Sequence, residues 1–443
     1  MFTLRGTPRT YCDGHSRRDF LKIGALTTGA LAFGGLTLGD IYRAEAATST
    51  TGGATESTSK KSIINIYLGG GPSHLDMFDL KPNAPPEIRG EFVPTTTNVP
   101  GMEINSLFNR LSKHADKFSI IRSMTGIRDE HAPNQPETGF GEPDMKSAGG
   151  RPSLGAVLSK IHGTTNGSVP RFVDLSGHTK HGFLGSVYNA FRPEGNGREN
   201  LKLRGDVTLD RLNDRAKLLQ DMDRMRRDVD GSQMMSAMDS FNQRAVDVIT
   251  GSKMVDALSI EKESKEIKEL YGMNSDEGRD NSRFLVARRL VEAGVRAVSF
   301  SWGGWDTHAN NFTSLRKQLP KLDIGLSALL IDLDQRGMLQ DTMVVMWGEF
   351  GRTPRINMGA CRDHWSRSSS CFIAGGGMKM GQVIGSTNRY GEAPQDRPVQ
   401  LGEVFSTLYH TLGIDPKTTT LTDQNGRPQY LTSNPNTIPE LVG

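Results

Sequence analysis

Three cysteines in 443 residues are too few for a disulfide scaffold, and no Cys-x-x-Cys pair occurs among them, which excludes a dithiol redox motif. Charge of one sign is also lacking. With 53 basic and 50 acidic residues the formal net charge is only +3, so no basic excess supports nucleic-acid binding. No Gly-x-Ser-x-Gly elbow is present, which argues against an acyl hydrolase. The triplet Gly69-Gly70-Gly71 has neither the dinucleotide fingerprint spacing nor the Lys-Ser/Thr of a phosphate loop. Nor does any uninterrupted apolar run reach the roughly 20 residues of a transmembrane helix. The longest candidate, Ile23 to Leu38, is broken by Gly24, Gly29, Gly34 and Gly35.

What precedes that run changes its meaning. Ser16-Arg17-Arg18-Asp19-Phe20-Leu21-Lys22 is a twin-arginine signal, followed by the short apolar stretch and a cleavage-like Ala44-Glu45-Ala46. Residues 1–46 are therefore expected to be a removable leader engaged by the twin-arginine translocase. The mature chain is expected to be periplasmic or extracellular, with no stable membrane span after cleavage. The leader carries six basic and four acidic side chains, so its loss leaves about +1. Such export suits proteins that finish folding, often around a metal or cofactor, before crossing the membrane.

Residues 47–61 hold almost nothing to bury and read as a flexible linker. One large domain is expected over 62–443. Strand-length apolar runs at Ile63–Leu68, Phe118–Arg122, Phe172–Leu175, Val295–Ser301, Thr342–Trp347 and Cys371–Ala374 alternate with helix-period segments. That alternation predicts an α/β fold with a doubly wound, mostly parallel sheet flanked by helices. Helices are expected over Ser282–Gly294 and Leu322–Gly337. Residues 206–272 change to charged helices, with Leu212, Leu219, Met222 and Val229 on one face, and read as a helical insert. Its methionines fit ordinary packing better than a copper site. Cys361 and Cys371 remain after export, and Cys371 opens an apolar strand as a small buried residue would.

Ligands of open α/β sheets bind beyond the carboxyl ends of the strands. The polar candidates fall there. His74, Asp76 and Asp79 follow the first strand; Asp306 and His308 follow Val295–Ser301; Glu349, Arg352 and then His364 follow Thr342–Trp347. Carboxylate and imidazole are the usual ligands of a hard or borderline divalent cation such as zinc, calcium or manganese, and the flanking glycines let backbone approach closely. Arg352 could instead clamp an anionic oxygen or form a structural ion pair. All four tryptophans (Trp302, Trp305, Trp347, Trp365) lie in or beside these segments, either walling a pocket or packing a core.

The segments GGGPSHLDMFDLKP, LVARRLVEAGVRAVSFSWGGWDTH, VVMWGEFGRTPRIN and RDHW, behind the twin-arginine leader, closely resemble the bacterial family known as domain of unknown function 1501. That family looks like a branch of the alkaline phosphatase and sulfatase superfamily, whose members hydrolyse phosphate or sulfate esters with metal at the strand ends of an α/β sandwich. By this resemblance Asp306 and His308 stand for an Asp and His that bind the first metal. Glu349 takes the place of an Asp-His pair, with Phe350 replacing the imidazole, and His364 stands for the last metal- or anion-binding His. Glycines occupy the place of the superfamily's first-strand Asp, so His74, Asp76 and Asp79 are the nearest substitutes. The segment from His131 to Gly139 looks like the sulfatase Cys-x-Pro-Ser-Arg motif without its Cys or Ser, leaving His131 as the closest polar group.

The expectation is an exported, metal-dependent hydrolase of sulfate or phosphate esters acting on an anionic ester or polysaccharide. Asp306, His308, Glu349 and His364, with His74 and Asp76, would hold metal, metal-bound hydroxide would attack, and His131 and Arg352 would serve the reaction. The alternative is a non-catalytic polysaccharide-binding or surface-interaction protein on the same scaffold.

Overall fold

The structure is a computed structural model that describes residues 61–146, 149–162, 169–193, 252–275 and 281–443. The expected leader, nearly all of the linker, and the first part of the helical insert with Met222 to Met238 lie outside the described residues.

Eight strands form the main sheet: β1 (Ser62–Tyr67), β2 (Phe118–Thr125), β3 (Phe172–Asp174), β4 (Ala297–Ser301), β5 (Thr342–Trp347), β6 (Ser369–Gly375), β7 (Gln382–Ile384) and β8 (Val399–Gln400). Their order is β7-β2-β6-β5-β1-β4-β3, with β8 also beside β2. Every expected strand is present. The sheet is mostly parallel, but β6 runs antiparallel to both β2 and β5. Cys371–Ala374 is therefore a mixed-sheet strand, which an apolar run does not distinguish from a parallel one.

Alternation along the central strands explains why helices cover both faces. Ile64, Ile66, Val344 and Met346 point into one core, whereas Ile63, Met343, Val345 and Trp347 point into the other. On the first face pack α3 (Ser282–Glu292) and α4 (Asn311–Gln335); on the second pack α2 (Leu154–Ile161) and α5 (Leu401–Thr411), while the short α1 (Asn134–Thr138) precedes α2 in the chain. The expected helix at Leu322 begins eleven residues earlier, at Asn311. Pro320 lies inside the helix, where buried Phe312, Leu315 and Leu319 continue the stripe of Leu322, Leu326 and Leu333. Packing of that stripe outweighs the helix hydrogen bond that proline removes.

The described part of the insert forms two short helices, Ser252–Leu258 and Lys265–Leu270. Met254, Ala257 and Tyr271 join the core beside α3. Buried Arg288 ties this region down through Glu263, Glu292 and Asp332. Among the described residues, no helix is long and apolar enough to cross a membrane. Cys361 and Cys371 are both free and buried. Trp302, Trp305 and Trp347 are 4%, 2% and 1% exposed, so three of the four tryptophans pack in the core.

Candidate metal centre

The carboxyl ends of β1, β4 and β5 converge because those strands are neighbours in parallel register. Their loops then pack on one another at van der Waals distance. Gly70 and Gly71 have φ of 104° and 66°. A Cβ on Gly70 would lie 2.3 Å from the Asp306 nitrogen, and one on Gly71 would lie 2.1 Å from the Phe350 ring. Only glycine permits both the turn and the approach.

Asp306 is the hub. His308 Nε2 lies 3.1 Å from its Oδ2, His364 Nε2 lies 3.1 Å from its Oδ1, and His131 Nε2 lies 3.8 Å from Oδ2. Ligand atoms of His131, Asp306 and His364 all fall within 4.8 Å of one another on an open surface. Partial desolvation pushes the Asp306 carboxyl up, but hydrogen bonds from His364, His308 and Arg352 outweigh it and hold the group at about 2. It is thus an anion near neutral pH. His131 and His364 rings meet edge to face at 4.5 Å, with Phe350 beneath both.

His364 is also held from behind, since its Nδ1 lies 3.0 Å from Asp129 Oδ1. A carboxylate on the far nitrogen orients an imidazole toward a metal and raises its basicity. Asp129 is the site residue that the sequence reading missed. Its only signal was a second Asp-x-His spacing, Asp129-Glu130-His131, matching Asp306-Thr307-His308.

Glu349 borders this cluster without joining it. Its carboxylate accepts from the backbone N–H groups of Gly70 (2.8 Å) and Gly71 (3.3 Å) and from the Tyr67 hydroxyl, and Oε1 lies 3.7 Å from His131 Nδ1. Burial raises its pKa against those donors, and burial beside Glu349 and Glu137 also pushes the Tyr67 hydroxyl up. Behind Tyr67 a second buried pair forms. Glu137 accepts from Ser299 Oγ at 3.0 Å, and His178 Nε2 lies 3.5 Å from its Oε1.

Three expected site residues have other partners. Arg352 is 2% exposed and its guanidinium is spent inside the loops: Nε donates to Gly71 O at 2.7 Å, Nη1 to Thr307 O and Arg362 O, and Nη2 to Gly70 O, Trp305 O and Asp306 Oδ1. This corrects its reading as an anion clamp, because all five N–H donors are engaged by protein oxygen. Asp76 is buried and forms a two-pronged pair with Arg362 at 2.8 and 3.0 Å, while also accepting from Ser73 and Asn311. His74 is buried, with Nε2 3.3 Å from Gly391 O and Nδ1 facing the Arg352 N–H, and burial lowers its pKa. Neither Asp76 nor His74 reaches the cluster, since both face away into the loop packing. Asp79, likewise, is paired with Lys81 and Thr387.

The donor set of two imidazole nitrogens and one carboxylate oxygen fits a borderline divalent ion such as zinc or manganese. It fits calcium less well, because calcium takes six to eight oxygens. The Arg352 guanidinium, 3.0 Å from Asp306, adds a fixed positive charge on the protein side of that carboxylate.

Among solved structures, the chain resembles the lipoteichoic acid synthase LtaP from Listeria monocytogenes, with 10% identity, 84% of this chain and 78% of that chain covered, and a TM-score of 0.35. It also resembles the PsFucS1 sulfatase from Pseudoalteromonas sp., with 11% identity, 85% and 72% covered, and a TM-score of 0.38. Both likenesses are of outline alone, and nothing about activity follows from them. No curated protein matches the chain. A family model described as "Protein of unknown function (DUF1501)" matches residues 60–442, and the chain, which it spans from the first strand almost to the last residue, belongs to that family.

Proposed function

We propose that this protein is an exported, metal-dependent hydrolase of sulfate or phosphate esters. The observation that carries the reading is the gathering of His131, His308 and His364 around one carboxylate, Asp306, at the mouth of a parallel sheet. Imidazoles packed around a strongly acidic carboxylate at the mouth of the sheet make a candidate ligand set.

Asp306, His364 and His131 would hold the ion, with His308 as a fourth donor. A divalent metal bound there supplies Lewis acidity toward an ester oxygen and lowers the pKa of water. The chain's own residues do the rest. Asp129 keeps His364 turned into the site, and Arg352 locks the Gly70–Gly71 and Trp305–Thr307 loops together so that Asp306 keeps its position. Glu349, whose Oε1 lies 3.7 Å from His131 Nδ1, would orient that ring toward the ion as Asp129 orients His364. Neither Ser nor Cys stands at the position of His131, which favours attack by water over a covalent serine-type route. The twin-arginine leader supports export to the periplasm or beyond, and export after folding suits a protein loaded with metal beforehand.

The test is metal content by elemental analysis of the purified protein and of Asp306→Ala and His364→Ala, alongside turnover of 4-nitrophenyl sulfate and 4-nitrophenyl phosphate. Stoichiometric metal in the wild type, lost in both variants together with turnover, is the expected result. Absence of metal after loading with zinc and with manganese would overturn the reading and leave a binding protein on the same scaffold.

A further inference from the structure

Asp129 and His131 reach the candidate centre from a stretch, residues 127–133, that belongs to no helix or strand. Arg128, Asp129 and His131 are exposed, and within the stretch the Ala132 N–H donates to Glu130 O at 2.8 Å. A chain of this kind does not place two side chains unaided, because every residue held in one conformation costs backbone entropy. Gln135, four residues beyond His131 in α1, is 1% exposed and bridges the ends of the stretch. Its Oε1 accepts from the Arg128 N–H at 2.7 Å, and its Nε2 donates to Arg128 O at 2.9 Å and to Glu349 O at 3.2 Å. The amide orientation is forced, since a backbone N–H can only donate. α1 is itself bolted to the sheet. Asn65 Nδ2 donates to Pro136 O at 3.0 Å, Trp347 Nε1 donates to Asn65 Oδ1 at 2.9 Å, and Glu137 accepts from Ser299 Oγ at 3.0 Å.

A buried side-chain amide whose three hydrogen bonds all go to backbone acts on chain geometry, and none of these bonds reaches a side chain of the centre. The peptide clamped at Arg128 leads straight into Asp129, which backs His364 at 3.0 Å. Two residues further on, His131 stands 3.8 Å from Asp306 and 3.7 Å from Glu349. The bond to Glu349 O fixes the stretch against the loop after β5, so one amide sets both the path of the ligand-bearing chain and its spacing from Glu349. We propose that Gln135 is a positioning residue of the candidate metal centre: its clamp holds His131 over Asp306, and without it His131 leaves the ligand set. In its consequence for metal the proposal rests on the reading of the centre given above; in its statement of where His131 sits it does not.

The experiment is a double-mutant cycle on zinc affinity, read by competition with a chromophoric chelator on the folded fraction of wild type, Gln135→Met, His131→Ala and the double variant. Gln135→Met keeps the length of the side chain and removes all three bonds. Each single variant should lose about tenfold or more in affinity, and the double variant should lose clearly less than the product of the two. A second cycle pairs Gln135→Met with His308→Ala, whose residue is carried by the loop after β4; there the losses should multiply. If Gln135→Met does not fold, the cycles are run on Gln135→Glu, which keeps the acceptor for the Arg128 N–H and loses both donated bonds, with the same coupling to His131 expected. A metal-free readout accompanies them. The His131 ring packs 5.2 Å from Phe350 and 4.5 Å from His364, so ring currents displace its imidazole proton signals, which are assigned by their absence from His131→Ala. In the Gln135 variant those signals should move toward the free-imidazole position. Losses that multiply in the His131 cycle overturn the proposal, as do His131 signals that stay where they are in the wild type. The two readings fail separately: no zinc in the wild type with His131 signals that depend on Gln135 sinks the metal centre alone, and zinc bound with no coupling and no shift sinks the positioning role alone.

Discussion

The Nε2 of His364 lies 3.1 Å from Oδ1 of Asp306, and the same ring is backed by Asp129, 3.0 Å from its Nδ1. In the proposed centre Asp306 would bind the ion and Asp129 would only aim the imidazole. Asp129→Asn keeps a neutral acceptor at the same place but removes the charge that makes the imidazole a better ligand. Metal affinity should fall by about 10- to 100-fold while stoichiometry at saturating metal is kept. Competition with a chromophoric chelator measures this directly. An affinity equal to that of the wild type would show that Asp129 does not support the centre.

The β1 loop makes its own prediction through Gly70. With φ of 104° and only 2.3 Å between a Cβ and the Asp306 nitrogen, Gly70→Ala must displace the segment that carries the hub carboxylate. The expected cost is about 2 kcal/mol or more, with metal binding lost as well. Gly177→Ala is the control, because its φ of 77° is similar but its Cβ would meet nothing within 4 Å. That variant should lose about 1 kcal/mol and keep its metal. Thermal unfolding of the pair separates the steric clash from backbone strain.

Much of this was legible in the sequence because buried parallel strands leave continuous apolar runs, and each expected run became a strand. Asp306, His308 and His364 were legible because a polar residue just past such a run must sit at the mouth of the sheet. Residue type could not say which way a charge faces there. Asp76, His74 and Arg352 occupy the same kind of loop as Asp306, yet their partners are Arg362, Gly391 and a ring of backbone carbonyls, which only the packed loops reveal. Asp129 was hidden for the opposite reason. It lies in an exposed stretch after β2 with no apolar pattern around it, and its role depends on His364, 235 residues away.

Asp76 should accordingly respond as a structural residue. Asp76→Asn leaves the fully buried Arg362 guanidinium without its countercharge, and breaking a buried pair by removing one partner costs about 3–5 kcal/mol. Metal per folded molecule should stay the same. Elemental analysis of the folded fraction after size exclusion checks it, and loss of metal from protein of unchanged stability would return Asp76 to the ligand set.

Asp174 gives a pH prediction away from the metal ligands. Burial pushes its carboxyl up, but N–H groups of Thr179 and Ser176, the Thr179 hydroxyl and nearby His178 outweigh burial and bring it below the ordinary 3.8. The side chain accepts from Ser176 N at 2.9 Å, Gly177 N at 2.8 Å and both Thr179 donors at 2.8 Å, closing the turn after β3. A carboxyl whose folded pKa is depressed binds its proton less readily in the folded state. Its contribution is fully present above the unfolded value and is lost as pH falls through the folded one. Asp174→Asn should lower the melting temperature at pH 6, and its deficit against the wild type should shrink steadily as pH drops from about 4 toward 2. The turn would then melt in the wild type much as it does in the variant. A deficit that stays constant over that range would mean that the turn is held by oxygen geometry alone, with the Asp174 charge contributing nothing.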